Sequence, residues 1–337
     1  MTNSPQSTST ARWLGPVCGF AAAVLYTLTN IALRDCIQVD PYLVSAVKAT
    51  PTVLLLGPFL IMVAVKGGRV LESRQKLPQF LVASFMAQVI GNAGFQKSLG
   101  HIGLAAAVPI TLGTLIVGGA ILGILLLKEH VGQRKTIAMV TLIAAVIVLS
   151  LPPGTPETTS TTASKPLTTV DVLLGSFWAA VSGLSYSFFG VSLRQMLQTG
   201  VRPSTTMFVS GTVGFITLWT YSLALLPREE LAATTSRAWV SMTTAGILNF
   251  AAFIAITVSL RLLPVVAVNL INASQVAMAA IAGVLLFEEA FTRPLMLGIL
   301  LTLSGLVLLA SPETSRRRTE ATEFLTASPP QEGDQIN

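Results

Sequence analysis

Ten long apolar segments, separated by short polar ones, constrain the fold of this 337-residue chain more than any other feature of its sequence. Most are close to the roughly 20 residues that an α-helix needs to cross the hydrocarbon core of a bilayer. Backbone polar groups in lipid must be hydrogen-bonded within the protein, which helices achieve. The sequence therefore predicts an all-α integral membrane protein with ten transmembrane helices. The predicted spans run from about Trp13 to Leu33, Tyr42 to Val65, Phe80 to Lys97, Leu104 to Leu127, Thr136 to Leu151, Val170 to Leu193, Thr205 to Leu226, Trp239 to Leu260, Val265 to Phe287, and Pro294 to Ala310.

The composition agrees with a membrane protein and excludes two other classes. Charged residues make up 11% of the chain and hydrophobic residues 52%, whereas roughly 25% of a soluble domain is charged. A water-soluble globule is therefore excluded. The net charge of +6 does not indicate nucleic-acid binding, because the basic residues are scattered between apolar segments and form no single basic face. We expect the lipid bilayer and a small-molecule metabolite as partners, expect no nucleic acid, and leave the oligomeric state open.

The distribution of lysine and arginine predicts the orientation of the helices, since cytoplasmic loops carry an excess of both. With the N-terminus inside, 14 of the 21 basic residues fall on the cytoplasmic side, six fall on the other side, and Lys48 falls within a span. An even number of spans then places both termini in the cytoplasm. The polar tails are residues 1–12 and 311–337, and we expect the second to be disordered. The predicted location is the cell membrane, as a multi-pass protein of a bacterial inner membrane.

The sequence is similar to itself at an offset of 160 residues. An offset that holds along five predicted spans indicates a duplication of a five-helix unit. The superposed pairs include Tyr26 and Tyr186, Arg34 and Arg194, Gly123 and Gly283, and Glu129 and Glu289.

The duplication predicts how the chain is divided. One five-helix repeat covers residues 13–151 and the second covers residues 170–310. Because five is an odd number, the two copies have opposite orientations in the membrane, as inverted repeats do in many transporters. Residues 152–169 are rich in Pro, Ser and Thr and are predicted to form an extracytoplasmic linker.

Paired segments at the ends of the fourth and ninth predicted spans carry a resemblance to a known family. They read Gly-Ile-Leu-Leu-Leu-Lys-Glu at 123–129 and Gly-Val-Leu-Leu-Phe-Glu-Glu at 283–289, each followed by another apolar span. With Lys48 in the second span and Leu-Arg-Leu-Leu-Pro at 260–264, they resemble the EamA-type branch of the ten-helix drug/metabolite transporter superfamily. The resemblance covers about residues 13 to 310. It implies transport of amino acids, related metabolites or drugs, usually by export.

Lys48 is the only charged residue predicted in the interior of a span. A charge at the bilayer centre costs several kcal/mol, so such residues usually face a cavity. Two interpretations are open. The ammonium either lines a cavity, where it favours a carboxylate or phosphate on a ligand, or extends past Pro41 to the membrane surface.

Uncharged polar residues recur at helical spacing in several predicted spans. Ser84, Gln88, Asn92 and Gln96 follow one another at intervals of four, which stacks them on one face of a helix. Such residues either line a cavity or bond to neighbouring helices, at about 0.6–2 kcal/mol per bond. We predict a cavity lined by Lys48 together with Tyr26, Asn30, Gln88, Asn92, Gln96, Tyr186, Asn269, Asn272 and Gln275.

No group of residues in the sequence indicates an enzyme. A Ser/His/Asp set, a metal-ligand spacing and a phosphate-binding loop are all missing, so we predict no catalytic residue, metal site or cofactor. All 15 acidic residues fall in predicted loops, tails or helix ends, which argues against a proton relay through an intramembrane carboxylate. We expect Glu129 and Glu289 to have a structural role, each capping the helix that follows it.

Together these patterns predict a membrane transporter that exports a small polar metabolite, such as an amino acid, by alternating access. Lys48 favours a substrate with a carboxylate. Two alternatives stay open. A nucleotide-sugar or phosphorylated-metabolite exchanger would need more basic residues in the cavity, and a membrane receptor or scaffold would need a folded soluble domain or a docking tail.

Overall fold

The computed structural model describes residues 9–68, 74–127, 133–151, 168–262, 271–272 and 274–310. These residues are mostly helical, and no strand occurs among them. A π-helical turn, Met86–Gly91, joins α3 to α4. The helices are α1 Ser9–Arg34, α2 Pro41–Val65, α3 Leu77–Phe85, α4 Asn92–Leu127, α5 Gln133–Leu149, α6 Thr169–Gln198, α7 Pro203–Leu225, α8 Arg228–Ala233, α9 Ser236–Leu262, α10 Ser274–Phe287 and α11 Arg293–Ala310.

Six helical segments of the described chain are long and apolar enough to cross a membrane. The all-helical membrane architecture is therefore confirmed, while the count of ten spans and the cytoplasmic position of the termini stay predictions. Most of the predicted linker, the start of the ninth predicted span and the C-terminal tail lie outside the described residues. The six segments are Trp13–Arg34, Pro41–Val65, Leu77–Gly123, Thr169–Gln198, Pro203–Leu225 and Ser236–Ser259, and three shorter apolar helices are Thr136–Leu149, Ser274–Phe287 and Arg293–Leu308.

The third and fourth predicted spans meet at a break within α4, with no loop of several residues between them. The residues predicted as a turn, 98–103, continue the helix up to Gly103. There the backbone leaves the helical region, with φ 76° and ψ −178°. Glycine adopts a positive φ without the steric cost that a Cβ would add, so the break falls at this residue.

The carboxylate of Glu289 caps the helical segment that begins after this break. Its Oε1 accepts the Leu104 N–H at 2.7 Å and its Oε2 accepts the Ala105 N–H at 2.8 Å. These are donors that the first turn of a helix leaves without partners. Arg34 Nε donates to the same Oε1 at 2.9 Å.

This contact corrects one expectation from the sequence. Glu289 does not cap the helix that follows it, because its carboxylate bonds to the start of a segment 185 residues earlier in the chain. The packing of α10 against α4 and α1 brings the two together. Its counterpart Glu129 lies outside the described residues.

We expect Gly103→Ala to destabilise the protein and Gly100→Ala to leave it intact. A Cβ at position 103 strains the positive φ and collides with the Glu289 carboxylate, whereas a Cβ at position 100 meets nothing within 4 Å. A residue held in such a backbone region costs about 1–3 kcal/mol. The measurement is the midpoint of thermal unfolding of each purified variant in detergent, and equal midpoints for the two variants would contradict the prediction.

Side-chain caps set where the helices with Lys48 and Tyr186 begin. The Asp40 carboxylate accepts the N–H groups of residues 42 and 43 at 2.9 and 3.1 Å, and proline occupies the first position of α2. Thr168 and Asp171 form a reciprocal capping box at the start of α6. Both caps are visible in the sequence, and they fix where α2 and α6 start along the chain.

Helices from the first half of the chain pack against helices from the second half. α1 packs on α9, α2 on α7, α5 on α11, and α4 on both α6 and α10. Glycines permit close approach at several of these contacts, since a Cβ at Gly175 would collide with Ile102 and a Cβ at Gly298 with Leu149. The two halves are therefore joined at many places in the bundle.

Buried apolar residues concentrate at one end of the bundle. The largest cluster among the described residues includes Leu33, Leu43, Leu99, Leu104 and Ala238. These residues lie near the end of α1, the start of α2, the break in α4 and the start of α9. The predicted orientation places this end on the extracytoplasmic side.

Candidate functional site

A cavity of about 450 Å³ lies between the helices and is lined by residues from both halves of the chain. Its volume is within the roughly 300–1,000 Å³ that small-molecule sites have. Amide, hydroxyl and aromatic side chains all contribute to its wall. Lys48 is the only charged residue among the described residues that line it.

Lys48 is buried in the cavity wall, with 8% of its surface exposed. Its Nζ donates to Asn92 Oδ1 at 2.8 Å, so the side chain turns inward and does not extend past Pro41. The sequence left two interpretations open, and this geometry corresponds to the one in which the ammonium lines a cavity. The described wall offers the ammonium only neutral dipoles, an arrangement that favours an anionic group on a ligand.

Asn92 connects Lys48 to the second half of the chain. Its Oδ1 also accepts the Tyr186 hydroxyl at 2.7 Å, and its Nδ2 donates to Gln88 Oε1 at 2.7 Å. Gln88 Nε2 in turn donates to Ser210 Oγ at 3.2 Å. Because an ammonium only donates, the Asn92 atom that faces it is the oxygen, and this fixes the direction of the other bonds. The five side chains form one hydrogen-bonded network in the cavity wall.

The π-helical turn Met86–Gly91 presents the two amides of this network. Gln88 lies within the turn and Asn92 directly follows it. Single π-helical turns inside α-helices are frequent at functional sites. Gly91 also lets the second half approach, since a Cβ there would lie 2.9 Å from the Tyr186 ring.

Four more of the predicted residues line the cavity without joining that network in any described contact: Tyr26, Asn30, Asn272 and Gln275. Gln275 Nε2 donates to Asn272 Oδ1 at 3.1 Å. Asn269 lies outside the described residues. The structure thus brings Lys48 and seven of the predicted neutral residues to one cavity, and their role in binding stays a prediction.

Gln96 is not among the residues that line the cavity, and its prediction as a lining residue is corrected. Its Nε2 donates to the backbone oxygen of Leu33 at 2.9 Å, and only 3% of its surface is exposed. From Asn92 to Gln96 the helix has about 3.6 residues per turn, so these two positions differ in direction by about 40°. Gln88 and Asn92 therefore face the cavity while Gln96 packs against α1.

Sequence reasoning missed two groups of lining residues. The first is a set of residues with hydroxyl side chains, Thr29, Thr52, Thr111 and Ser210. The second is a set of phenylalanines, Phe95, Phe189, Phe250 and Phe253. Asn249 also lies in the wall. The sequence does not distinguish these phenylalanines from those that face lipid. Phe20, for example, is exposed on the outside of the bundle.

Among the described residues, two arginine–carboxylate ion pairs join the halves outside the cavity, at the end that holds the apolar cluster. Arg34 and Glu289 are mostly buried, with side chains 16% and 12% exposed. Arg237 Nη2 donates to Asp35 Oδ1 at 2.9 Å, and Ser241 Oγ donates to Asp35 Oδ2 at 2.9 Å. In the part of the chain that the structure describes, no three His, Cys, Asp or Glu side chains are grouped as a metal site requires.

A helical membrane protein with a cavity between two packed halves, lined by apolar residues and a few polar ones, has the architecture of a small-molecule transporter. Residues 173–311 match the EamA-like transporter family, which is part of the drug/metabolite transporter superfamily. The resemblance predicted from the sequence is therefore confirmed. The family is one of membrane transporters of small molecules, which is consistent with the expectation that the protein is not an enzyme.

The other comparisons concern the whole chain. No curated protein matches the sequence. One solved structure, described as "Crystal structure of protein", is similar over 90% of this chain and 98% of its own, with a TM-score of 0.56 and 16% sequence identity. At this level of identity the likeness shows a shared fold.

Proposed function

We propose that the protein is an alternating-access carrier that exports a small polar metabolite, such as an amino acid, across the inner membrane of a bacterium. The observation that carries the proposal is the cavity, whose wall holds one cation and several amides and is contributed by both halves of the chain. A site formed between two halves changes its access when the halves move against each other.

The helix pairing supports an inverted duplication, with repeats at residues 13–151 and 170–310 joined by residues 152–169. At the offset of 160 residues, α1 corresponds to α6, and α9 corresponds to the segment around the π-helical turn and the start of α4. The contact of α1 with α9 thus corresponds to that of α6 with this segment, while the α2–α7 and α5–α11 contacts each correspond to themselves. Two copies related by a twofold axis in the membrane plane are expected to pair in this way.

The position of the packed core supports alternating access. The largest apolar cluster and the two arginine–carboxylate pairs of the described residues join the halves at the end that the lysine and arginine distribution places on the extracytoplasmic side. Packing at that end is expected of an inward-facing conformation, which is one of the two end states of such a carrier.

The polarity of the wall supports a substrate with one negative charge. Lys48 supplies a single positive charge among the described lining residues, and phenyl rings can hold an apolar part of the same molecule. A nucleotide sugar or sugar phosphate carries more negative charge and would leave part of it uncompensated. We therefore favour an amino acid or another monocarboxylate over the phosphorylated-metabolite exchanger.

The test is uptake into proteoliposomes of the purified protein, across a panel of amino acids, amines, monocarboxylates and nucleotide sugars. We expect saturable flux of at least one amino acid or monocarboxylate above that of protein-free liposomes. Protein in both orientations is acceptable, because a carrier driven only by a concentration gradient works in both directions.

Two outcomes of this experiment would change the proposal. Flux of no compound would remove the carrier function and leave the receptor or scaffold. Strong acceleration of flux by an imposed proton gradient would show that transport is proton-coupled, contrary to the absence of an acidic residue in the described cavity wall.

A further inference from the structure

Two hydrogen-bond donors in the cavity wall converge on a single atom. Lys48 Nζ and the Tyr186 hydroxyl both donate to Asn92 Oδ1, at 2.8 and 2.7 Å. The three side chains line the same cavity. A tyrosine hydroxyl has one proton to donate, so in this arrangement its only donor bond is directed at the amide oxygen.

The converging donors form a position suited to a carboxylate oxygen. A charged acceptor makes hydrogen bonds roughly twice as strong as a neutral one, and shorter. A carboxylate is therefore a better partner than an amide oxygen for an ammonium and a hydroxyl that are both withdrawn from water. The amide oxygen of Asn92 occupies this position in the structure.

We propose that Asn92 Oδ1 holds the place of a carboxylate oxygen of the transported molecule. On arrival, the substrate carboxylate takes the two donors and the Asn92 amide turns away. Lys48 and Tyr186 are then substrate ligands, while Asn92 is a positioning residue that keeps their donors directed at one point. This inference rests on the proposed carrier function and specifies the part of the substrate that is recognised.

The surroundings of Asn92 allow this exchange. It directly follows the π-helical turn, and its Nδ2 is held by Gln88 Oε1, which belongs to an amide bonded to Ser210. Breaking the contacts of its oxygen leaves the Asn92 amide next to a second polar side chain. Replacement of one acceptor by another leaves neither donor unpaired, so the cost of the exchange is confined to the Asn92 oxygen that gives up its two bonds.

The same exchange links the two halves of the chain. Lys48 comes from α2 in the first half and Tyr186 from α6 in the second. A carboxylate bound to both makes a strong contact across the halves in place of a weaker neutral one. A ligand shifts a conformational equilibrium by its difference in affinity for the two states, and this contact is where such a difference arises.

The sharpest test compares Asn92→Asp with Asn92→Ala. Aspartate has nearly the same shape as asparagine and places a permanent carboxylate between the two donors. Alanine removes the competing oxygen. The probes are leucine, leucinamide, which lacks the carboxylate, and 4-methylpentanoate, which lacks the amine, each measured for flux in proteoliposomes.

We expect opposite effects of the two substitutions. Asn92→Asp should raise the half-saturating concentration of leucine and 4-methylpentanoate at least tenfold, whereas Asn92→Ala should leave it within threefold of wild type or lower it. If Asn92 were a substrate ligand or only a structural residue, both variants would lose affinity together, and that result would overturn the inference.

A milder variant keeps the test decisive if Asn92→Asp does not fold. Tyr186→Phe removes one donor and should raise the half-saturating concentration of 4-methylpentanoate about tenfold, with less than a twofold change for leucinamide. The matched control is Tyr221→Phe, because Tyr221 stacks on Tyr42 and is not among the cavity residues. Equal effects of Tyr186→Phe on both probes would also overturn the inference.

The failure of this inference and the failure of the carrier proposal can be told apart. If the wild-type protein transports amines but neither leucine nor 4-methylpentanoate, the proposed carboxylate position is wrong and the carrier function still holds. A wild-type protein that transports no compound overturns both.

Discussion

Replacing Lys48 with methionine should reduce the affinity for carboxylate-bearing substrates about 10- to 150-fold. The range follows from the roughly 1.5–3 kcal/mol that a hydrogen bond to a charged group contributes, at about 1.4 kcal/mol per factor of ten. Methionine is unbranched and similar in length, so the cavity keeps its shape while it loses its charge. Leucinamide should be carried as well as before or better, because its own positive charge is no longer repelled.

Two matched variants separate charge from position. Lys48→Arg keeps the charge and should retain more affinity for carboxylates than Lys48→Met. Lys97→Met removes a cation that lies over the Trp178 ring at 4.3 Å, outside the cavity, and should leave the half-saturating concentrations unchanged. Unaltered uptake of 4-methylpentanoate by Lys48→Met would remove Lys48 from the binding site.

Replacing Glu289 with alanine should cost about 3–5 kcal/mol of folding free energy, the usual effect of removing one partner of a buried ion pair. The substitution leaves Arg34 without its carboxylate and the N–H groups of Leu104 and Ala105 without acceptors. Glu289→Gln keeps one acceptor oxygen and should lie between the wild type and alanine. The measurement is the free energy of unfolding in mixed micelles, or the thermal midpoint where unfolding is irreversible.

A double-mutant cycle tests whether the loss comes from this contact. Arg34→Met and Glu289→Ala should together cost less than the sum of their separate effects, because each removes the same ion pair. Glu229→Ala is the control, since Glu229 is exposed in α8 and its loss should change stability by no more than about 0.5 kcal/mol. Additive effects at 34 and 289 would mean that the two side chains do not interact in the folded protein.

The sequence predicts the helical architecture well because each apolar segment carries its own signal. The bounds of α2 differ from the prediction by one residue at the start, where Asp40 and Pro41 mark the beginning of the helix. The junction between the third and fourth spans is harder to predict. Residues 98–103 include polar side chains and glycines that suit either a turn or a helix, and the contact that places the break at Gly103 comes from Glu289.

The cavity residues also differ in how clearly the sequence marks them. Lys48 was predictable because a charge within an apolar segment demands an explanation, and Gln88 and Asn92 because long amides are costly in lipid. A hydroxyl carries no such signal. The Thr29 Oγ1 donates to the Leu25 backbone oxygen at 2.8 Å. The hydroxyl is therefore hydrogen-bonded whether the side chain faces lipid or a cavity.

Gln96 shows where spacing alone misleads. Gln96 does follow Asn92 at an interval of four. A helix that packs against several neighbours, however, contacts different neighbours at different levels along its axis. The backbone oxygen of Leu33, near the end of α1, accepts the Cys36 N–H and also accepts the side-chain amide of Gln96. Only the arrangement of α1 beside α4 reveals this partner.

The cap that Glu289 provides has a consequence for the order of synthesis. Leu104 leaves the ribosome 185 residues before its cap is made. At translation rates of about 5–20 residues per second, the N–H groups at the break in α4 wait roughly 10–40 s for their acceptor. The first half of the chain therefore cannot reach its final structure alone, even though it repeats the second. A gene cut between the halves should yield two fragments that are stable only when they are made together.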